Sequence, residues 1–188
     1  KTYNIDPFKI EEKITPRTRA IIVVHLFGQP ADMDPILKIA KEHNLKIIED
    51  SCETVYTKYK GKSVGSFGDI SCFSTYACHI IVTGVGGLAL TNSSEIAIVL
   101  RSLVNHGRDN IYISIDDDKE KHGNALKFIM KKRFSFIRKG YSYRMTELEA
   151  ALGVAQLEDI ELNIKKRRQN ANFLINGLKK WGKYMQLP

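Results

Sequence analysis

Leu45-Lys46-Ile47-Ile48-Glu49-Asp50 is a short apolar run that closes on two carboxylates, with Ser51-Cys52-Glu53 directly behind it. Runs of this kind are how a buried sheet presents chemistry along one edge. Upstream, residues 33–42 place Met33, Ile36, Leu37, Ile39 and Ala40 on one helical face, with Asp32 or Asp34 available as the cap. Before that helix, Gly28-Gln29-Pro30 reads as a turn. Ala20-Ile21-Ile22-Val23-Val24-His25-Leu26 is apolar and largely β-branched, the pattern of a central strand covered on both faces. Strand, helix and strand within about thirty residues predict parallel strands with a right-handed crossover. Asp50 then falls at the carboxyl end of its strand, where ligands of such sheets sit.

Downstream, Lys60-Gly61-Lys62-Ser63 and Gly65-Ser66-Phe67-Gly68-Asp69 read as turns around a short excursion. Two further strands are expected at residues 70–74 and 87–90; Ser74 ends the first, and His79 and Gly84-Val85-Gly86-Gly87 lie between them. Residues 95–103 read as a helix capped by Asn92 or Ser93. From 105 to 139 the pattern loosens into an expected irregular insertion, with an acidic run Asp116-Asp117-Asp118 and a basic aromatic stretch ending Phe134-Ser135-Phe136-Ile137-Arg138. Thr146 then caps a helix whose apolar stripe is Leu148, Ala151, Leu152, Ala155 and Leu157, continuing into a basic face. At the other end, residues 5–14 have weak helical spacing, with Asp6-Pro7 as cap and first helical position. The fold class expected is α/β, a mainly parallel sheet flanked by helices. Residues 1–162 would form part of a large domain and 163–188 the start of a small one. The opening residues lack a Met and a signal-peptide pattern, so the chain is read as the interior of a longer one.

Composition narrows the function classes. With 188 residues, 43% hydrophobic and 27% charged, the chain can bury one substantial core. No apolar run is long enough for a membrane-spanning helix, so no membrane partner is expected. Three cysteines, Cys52, Cys72 and Cys78, form no CxxC pair, which fits a reducing, cytoplasmic setting and fails a disulfide framework. Cys78 beside His79 does not amount to the four ligands of a structural zinc site, so no metal is expected. The net charge of +8 is concentrated in Lys131-Lys132-Arg133 and Lys165-Lys166-Arg167-Arg168. No nucleic-acid motif accompanies these clusters, and no nucleic-acid partner is expected. The second cluster is either a solvated helix face or a site for a phosphorylated small substrate.

Six pieces of sequence, in order, resemble one family. They are Ile47-Ile48-Glu49-Asp50, Val64-Gly65-Ser66-Phe67-Gly68-Asp69, Cys72-Phe73-Ser74, Gly84-Val85-Gly86-Gly87, Asn105-His106-Gly107 and Tyr143-Arg144-Met145-Thr146-Glu147-Leu148-Glu149-Ala150-Ala151. Together with residues 24–33 they are similar to the DegT/DnrJ/EryC1/StrS sugar aminotransferases. The resemblance implies part of the large domain of a fold type I pyridoxal-phosphate enzyme, a homodimer with shared active sites, and nucleotide-linked keto-sugars as substrates. It further implies pyridoxal 5'-phosphate (PLP) or pyridoxamine 5'-phosphate (PMP) as cofactor. Asp50 matches the carboxylate that keeps the cofactor ring nitrogen protonated. Glu53 stands where the aminotransferases usually carry a Gln near the phenolic oxygen, and Ser74 matches the hydroxyl that binds the phosphate.

At the position of the family's catalytic lysine, five residues after Ser74, this chain has His79. An imidazole cannot hold PLP covalently as a lysine amine does, but it serves as a general base near neutral pH. The same replacement marks the nucleotide-sugar C-3 dehydratase branch of the family. Departures from that branch are Ile80 in place of a second histidine, Val85 in the glycine turn, and the aminotransferase-like Tyr143-Arg144-Met145, preceded by Ser142 instead of Asn. The expected function is PMP-dependent C-3 dehydration of a 4-keto-6-deoxy sugar, with His79 catalytic. The alternatives are a sugar aminotransferase and a catalytically silent member acting as a binding or regulatory partner.

Overall fold

β1 (Ala20–Val24), α1 (Met33–Glu42) and β2 (Lys46–Asp50) form the expected β-α-β unit in the computed structural model, which describes residues 2–109 and 118–187. The two strands are parallel, with Ile21 opposite Ile47 and Val24 opposite Asp50. β3 (Lys58–Tyr59) and β4 (Lys62–Ser63) make a small hairpin. Its two turn residues, Lys60 and Gly61, both take the left-handed conformation that matches the twist of a tight hairpin. β5 (Ile70–Ser74) returns to lie parallel to β2, and β6 (Gly87–Leu90) then runs antiparallel to β5. The sheet order is β1-β2-β5-β6, so the fold is α/β with a mostly parallel sheet.

The core lies between α1 and one face of this sheet. Val23, Met33 and Ile36 have no solvent exposure, and Ile21, Ile39, Ala40 and Ile47 pack around them. The buried residues of α1 recur at three- and four-residue intervals, which puts them on one helical stripe. Four helices follow: α2 (Ser94–Val104), α3 (Gly123–Arg133), α4 (Glu147–Glu158) and α5 (Ile160–Leu178). Ser93, not Asn92, caps α2, its hydroxyl accepting the Ile96 N–H at 3.3 Å. At the start of α4 the Glu149 carboxylate reaches back to the Thr146 N–H at 2.9 Å, the reciprocal arrangement of a capping box.

The structure departs from the sequence expectation in four places. β1 is an edge strand, and only alternate residues are covered: Ile21 and Val23 are buried, whereas Ile22 is 61% exposed. Its unbroken apolar run suits cover on both faces, and α1 supplies cover on one. Residues 5–14 form two 3-10 turns, Pro7–Lys9 and Glu11–Lys13, although Asp6 does accept the Phe8 N–H as a cap. The stretch expected to be irregular holds α3, whose apolar residues are too scattered to show a clean stripe. In its acidic run, Asp118 pairs with Arg133 at 2.9 Å, and Asp116 and Asp117 lie outside the described residues. Finally, the terminal helix is broken at Asp159 into α4 and α5. Among the described residues no helix is long and apolar enough to cross a membrane.

Candidate active site

The carboxyl ends of the parallel strands β1, β2 and β5 bring three of the predicted residues to one edge of the sheet. Asp50 ends β2 and Ser74 ends β5, two residues beyond Cys72, the register partner of Asp50. Partners in register share a face, and so do residues two apart, so Asp50 and Ser74 lie on the same face of the sheet as Val24, away from α1. The half-buried Asp50 accepts the Cys52 N–H at 3.2 Å, and its carbonyl receives the His25 N–H at 3.1 Å. Burial and the nearby Asp50 carboxylate push the Cys52 thiol up to about 12, and the same two causes raise the Cys72 thiol. Neither is a ready nucleophile.

On the opposite face of the same strand end sits a fully buried polar pair. The His25 ring accepts the Ala31 N–H at Nδ1 (3.0 Å), so its proton is on Nε2, which lies 3.2 Å from Glu49 Oε2. Glu49 also accepts the N–H groups of Gly65 (2.8 Å), Phe67 (2.6 Å) and Gly68 (2.6 Å). Burial pushes its carboxyl up, but the bonds from His25, Gly68, Gly65 and Phe67 outweigh this and hold it below the ordinary value of 4.5. The pair pins the turn after β1 and the loop before β5 to β2, one residue away from Asp50.

Glu53 is also at this edge, but its carboxylate is committed. It accepts the Phe27 N–H at 2.5 Å and so holds the turn Leu26–Gly28, in which Phe27 is left-handed. Ser74 Oγ accepts the Tyr76 N–H at 3.2 Å, which leaves its O–H to donate elsewhere. A hydroxyl donor and a carboxylate on one face are the donor set that suits a phosphate and a protonated ring nitrogen.

His79 lies in the loop between β5 and β6, and that loop is clasped at its base. The buried hydroxyls of Thr75 and Thr83 meet at 2.6 Å, Thr83 Oγ1 also donates to the Val85 carbonyl at 2.9 Å, and the Thr83 N–H reaches the Thr75 carbonyl at 2.9 Å. Gly86 closes the loop at φ +140°; a Cβ there would come within 2.7 Å of Thr75 Oγ1 and 2.6 Å of Met145 Cε. The His79 N–H is bonded to the Tyr76 carbonyl at 3.0 Å, and the His79 carbonyl accepts from Arg167 of α5 at 3.4 Å. Among the described residues the imidazole itself has no hydrogen-bond partner. It is half-buried.

The structure therefore brings Asp50 and Ser74 to one face, sets Glu53 at the neighbouring turn, and hangs His79 from the strand that ends in Ser74. Sequence reasoning missed His25, Glu49, Thr75 and Thr83. The signal for Glu49 was present, a carboxylate inside an apolar strand, which must be hydrogen-bonded to be buried there. The threonine clasp left no comparable mark, because Thr is common in strands.

Comparison with known proteins gives a consistent result. A profile described as the DegT/DnrJ/EryC1/StrS aminotransferase family matches residues 1–188. The chain is 38% identical to the GDP-perosamine synthase of Caulobacter vibrioides over 188 residues, all of this chain and 45% of the relative. Among solved structures it resembles the aminotransferase from Psychrobacter cryohalolentis, with a TM-score of 0.80 and 34% identity over 97% of this chain and 44% of that one. It also resembles the E. coli GDP-4-keto-6-deoxy-D-mannose-3-dehydratase with bound hydrated PLP, with a TM-score of 0.76 and 30% identity over 95% of this chain and 45% of that one. The chain spans less than half the length of these proteins.

Proposed function

The chain belongs to the DegT/DnrJ/EryC1/StrS aminotransferase family, and from that premise we propose that it forms part of a PLP- or PMP-dependent enzyme of nucleotide-sugar biosynthesis. The reaction favoured is C-3 dehydration of a nucleotide-linked 4-keto-6-deoxy sugar. The observation that carries this choice is His79, an unpartnered imidazole on a clasped loop at the sheet edge where Asp50 and Ser74 end.

When bound, the cofactor supplies an electron sink for the carbon that loses its proton. Asp50 holds the proton on the ring nitrogen by ion pairing in a half-buried position, and Ser74 donates its hydroxyl hydrogen to the phosphate. Glu53 keeps the turn after β1 in place through Phe27 and so borders the site. His79 would serve as the base that takes a proton at the cofactor's C4′ carbon and as the acid that protonates the C-3 hydroxyl, so that the C-3–O bond breaks and the hydroxyl leaves as water. The active unit would be a cytoplasmic homodimer with shared sites. The division between the large and small domains at 162/163 would fall within α5, so that one continuous helix carries the chain from one to the other.

The test is absorbance spectroscopy of the intact protein with PLP and then PMP, followed by borohydride, mass measurement and turnover of a keto-sugar. The expected result is retention of PMP, no lysine trapped by borohydride, and sugar dehydration that is lost in His79→Ala while PMP still binds. Trapping of PLP on a lysine would transfer the assignment to the aminotransferase reading.

A further inference from the structure

We infer that Cys52 is a positioning residue for Asp50: its backbone N–H fixes one oxygen of the carboxylate and its thiol anchors that grip to β5, so that the other oxygen is left for the cofactor's ring nitrogen. The inference rests on the PLP or PMP reading above. The Cys52 N–H donates to Asp50 Oδ1 at 3.2 Å, the local turn by which an Asp side chain captures the amide two residues on. Oδ2 accepts no N–H or O–H among the described residues. A carboxylate gripped at one oxygen keeps the second for an ion pair, in an orientation the first decides.

What fixes the turn is the neighbouring strand. The Cys72 carbonyl of β5 takes the Ser51 N–H at 2.8 Å and the Cys52 thiol at 3.8 Å, so both of its lone pairs bind the segment directly behind Asp50. Cys72 is also the register partner of Asp50. The thiol therefore ties the amide that grips the carboxylate to the strand that ends in Ser74. Asp50 and Ser74, the groups proposed for the ring nitrogen and the phosphate, are thereby held at one spacing.

The state of the sulfur suits this task. Burial and the Asp50 carboxylate keep the Cys52 thiol protonated, so at neutral pH it is a donor and adds no second negative charge beside Asp50. Both neighbours of the carboxylate at the strand ends, Cys52 and Cys72, are neutral in the same way. The charge of Asp50 is then left for the ring nitrogen, and its direction is set without a competing cation.

The test is a pH titration of the absorbance of PMP bound to the intact protein, for wild type, Cys52→Ser, Cys52→Ala and Cys52→Val. The two variants without a donor should lose the ring-nitrogen proton at a pH lower by about half a unit or more, and Cys52→Ser, which keeps a donor, should stay near wild type. Val fills the space of the thiol, so it carries the comparison if Ala fails to fold. Four curves that coincide overturn the inference, and so does an equal shift in all three variants, which would make the sulfur a filler alone. The anchor is read separately in the cofactor-free protein, from the infrared S–H stretch that Cys52→Ser removes: a hydrogen-bonded frequency supports it, and the frequency of a free thiol overturns it. Wild-type protein that retains no PMP counts against the proposed reaction and leaves that band to decide the anchor.

Discussion

At position 49 a carboxylate is buried in an apolar strand and made stable there by four hydrogen bonds. Because the folded carboxyl titrates below 4.5, these bonds contribute stability that is fully present above that pH and lost as the pH falls through the lower folded value. Glu49→Gln sets an amide N–H₂ against backbone N–H donors and should cost about 1–3 kcal/mol at neutral pH. The gap to the wild type should narrow as the pH is taken below 4.5, as urea unfolding at a series of pH values would show. Residue 79 behaves differently. Its side chain bonds to nothing among the described residues, and the loop is held by its backbone and by two threonines. His79→Lys should therefore unfold within about 0.5 kcal/mol of the wild type and gain a borohydride-trappable PLP adduct at residue 79, seen as added mass on that peptide. An adduct elsewhere would show that another lysine reaches the cofactor.

The elements show how far local sequence reaches. α1, β5 and β6 have the bounds the sequence predicts; in α1 burial on one side imposes the period, whereas every residue of β6 is exposed and its bounds coincide with its pairing to β5. α3 was not legible, since none of its residues is buried and its contacts, such as Asp118–Arg133 and Lys132–Asp109, span 15 and 23 residues of sequence. Asp50 and Ser74 were legible because each ends an apolar run, and the structure sets both on one face. That Glu53 is tied to Phe27 was not, because the bond spans 26 residues. The loop from Thr75 to Gly86 yields its own expectation. Thr83→Val removes a hydroxyl that meets both Thr75 and the Val85 carbonyl, a loss of about 1–2 kcal/mol. Hydrogen exchange should then quicken across residues 76–82 while β2 stays protected. Equal quickening in both would mean that the clasp supports the whole sheet.

Across the molecule, apolar surface remains uncovered: Ile22 and Val24 on β1, Leu88 and Leu90 on β6, and Leu148, Leu152, Val154 and Leu157 on α4 are all exposed. Among the described residues both ends of the sheet order carry unpaired edges, which invite further pairing. The chain spans less than half the length of these relatives. In a protein of the relatives' full length, β6 amides should exchange slowly and sedimentation should give a dimer. In the 188-residue chain the same amides should exchange fast, and the sedimentation coefficient should climb with concentration. A monomeric full-length protein would remove the shared-site arrangement from the proposal.

The contact between Arg167 and the His79 carbonyl gives α5 the mechanics of a lever. The helix begins after the break at Asp159, touches the loop about 10 Å along its length and ends at Leu178 after about 27 Å, at 1.5 Å per residue. A swing of the far end about that break would reach the His79 carbonyl scaled down to about two-fifths. Any displacement of the outer end of α5 is therefore felt at residue 79 in reduced measure, a broad movement turned into a fine adjustment.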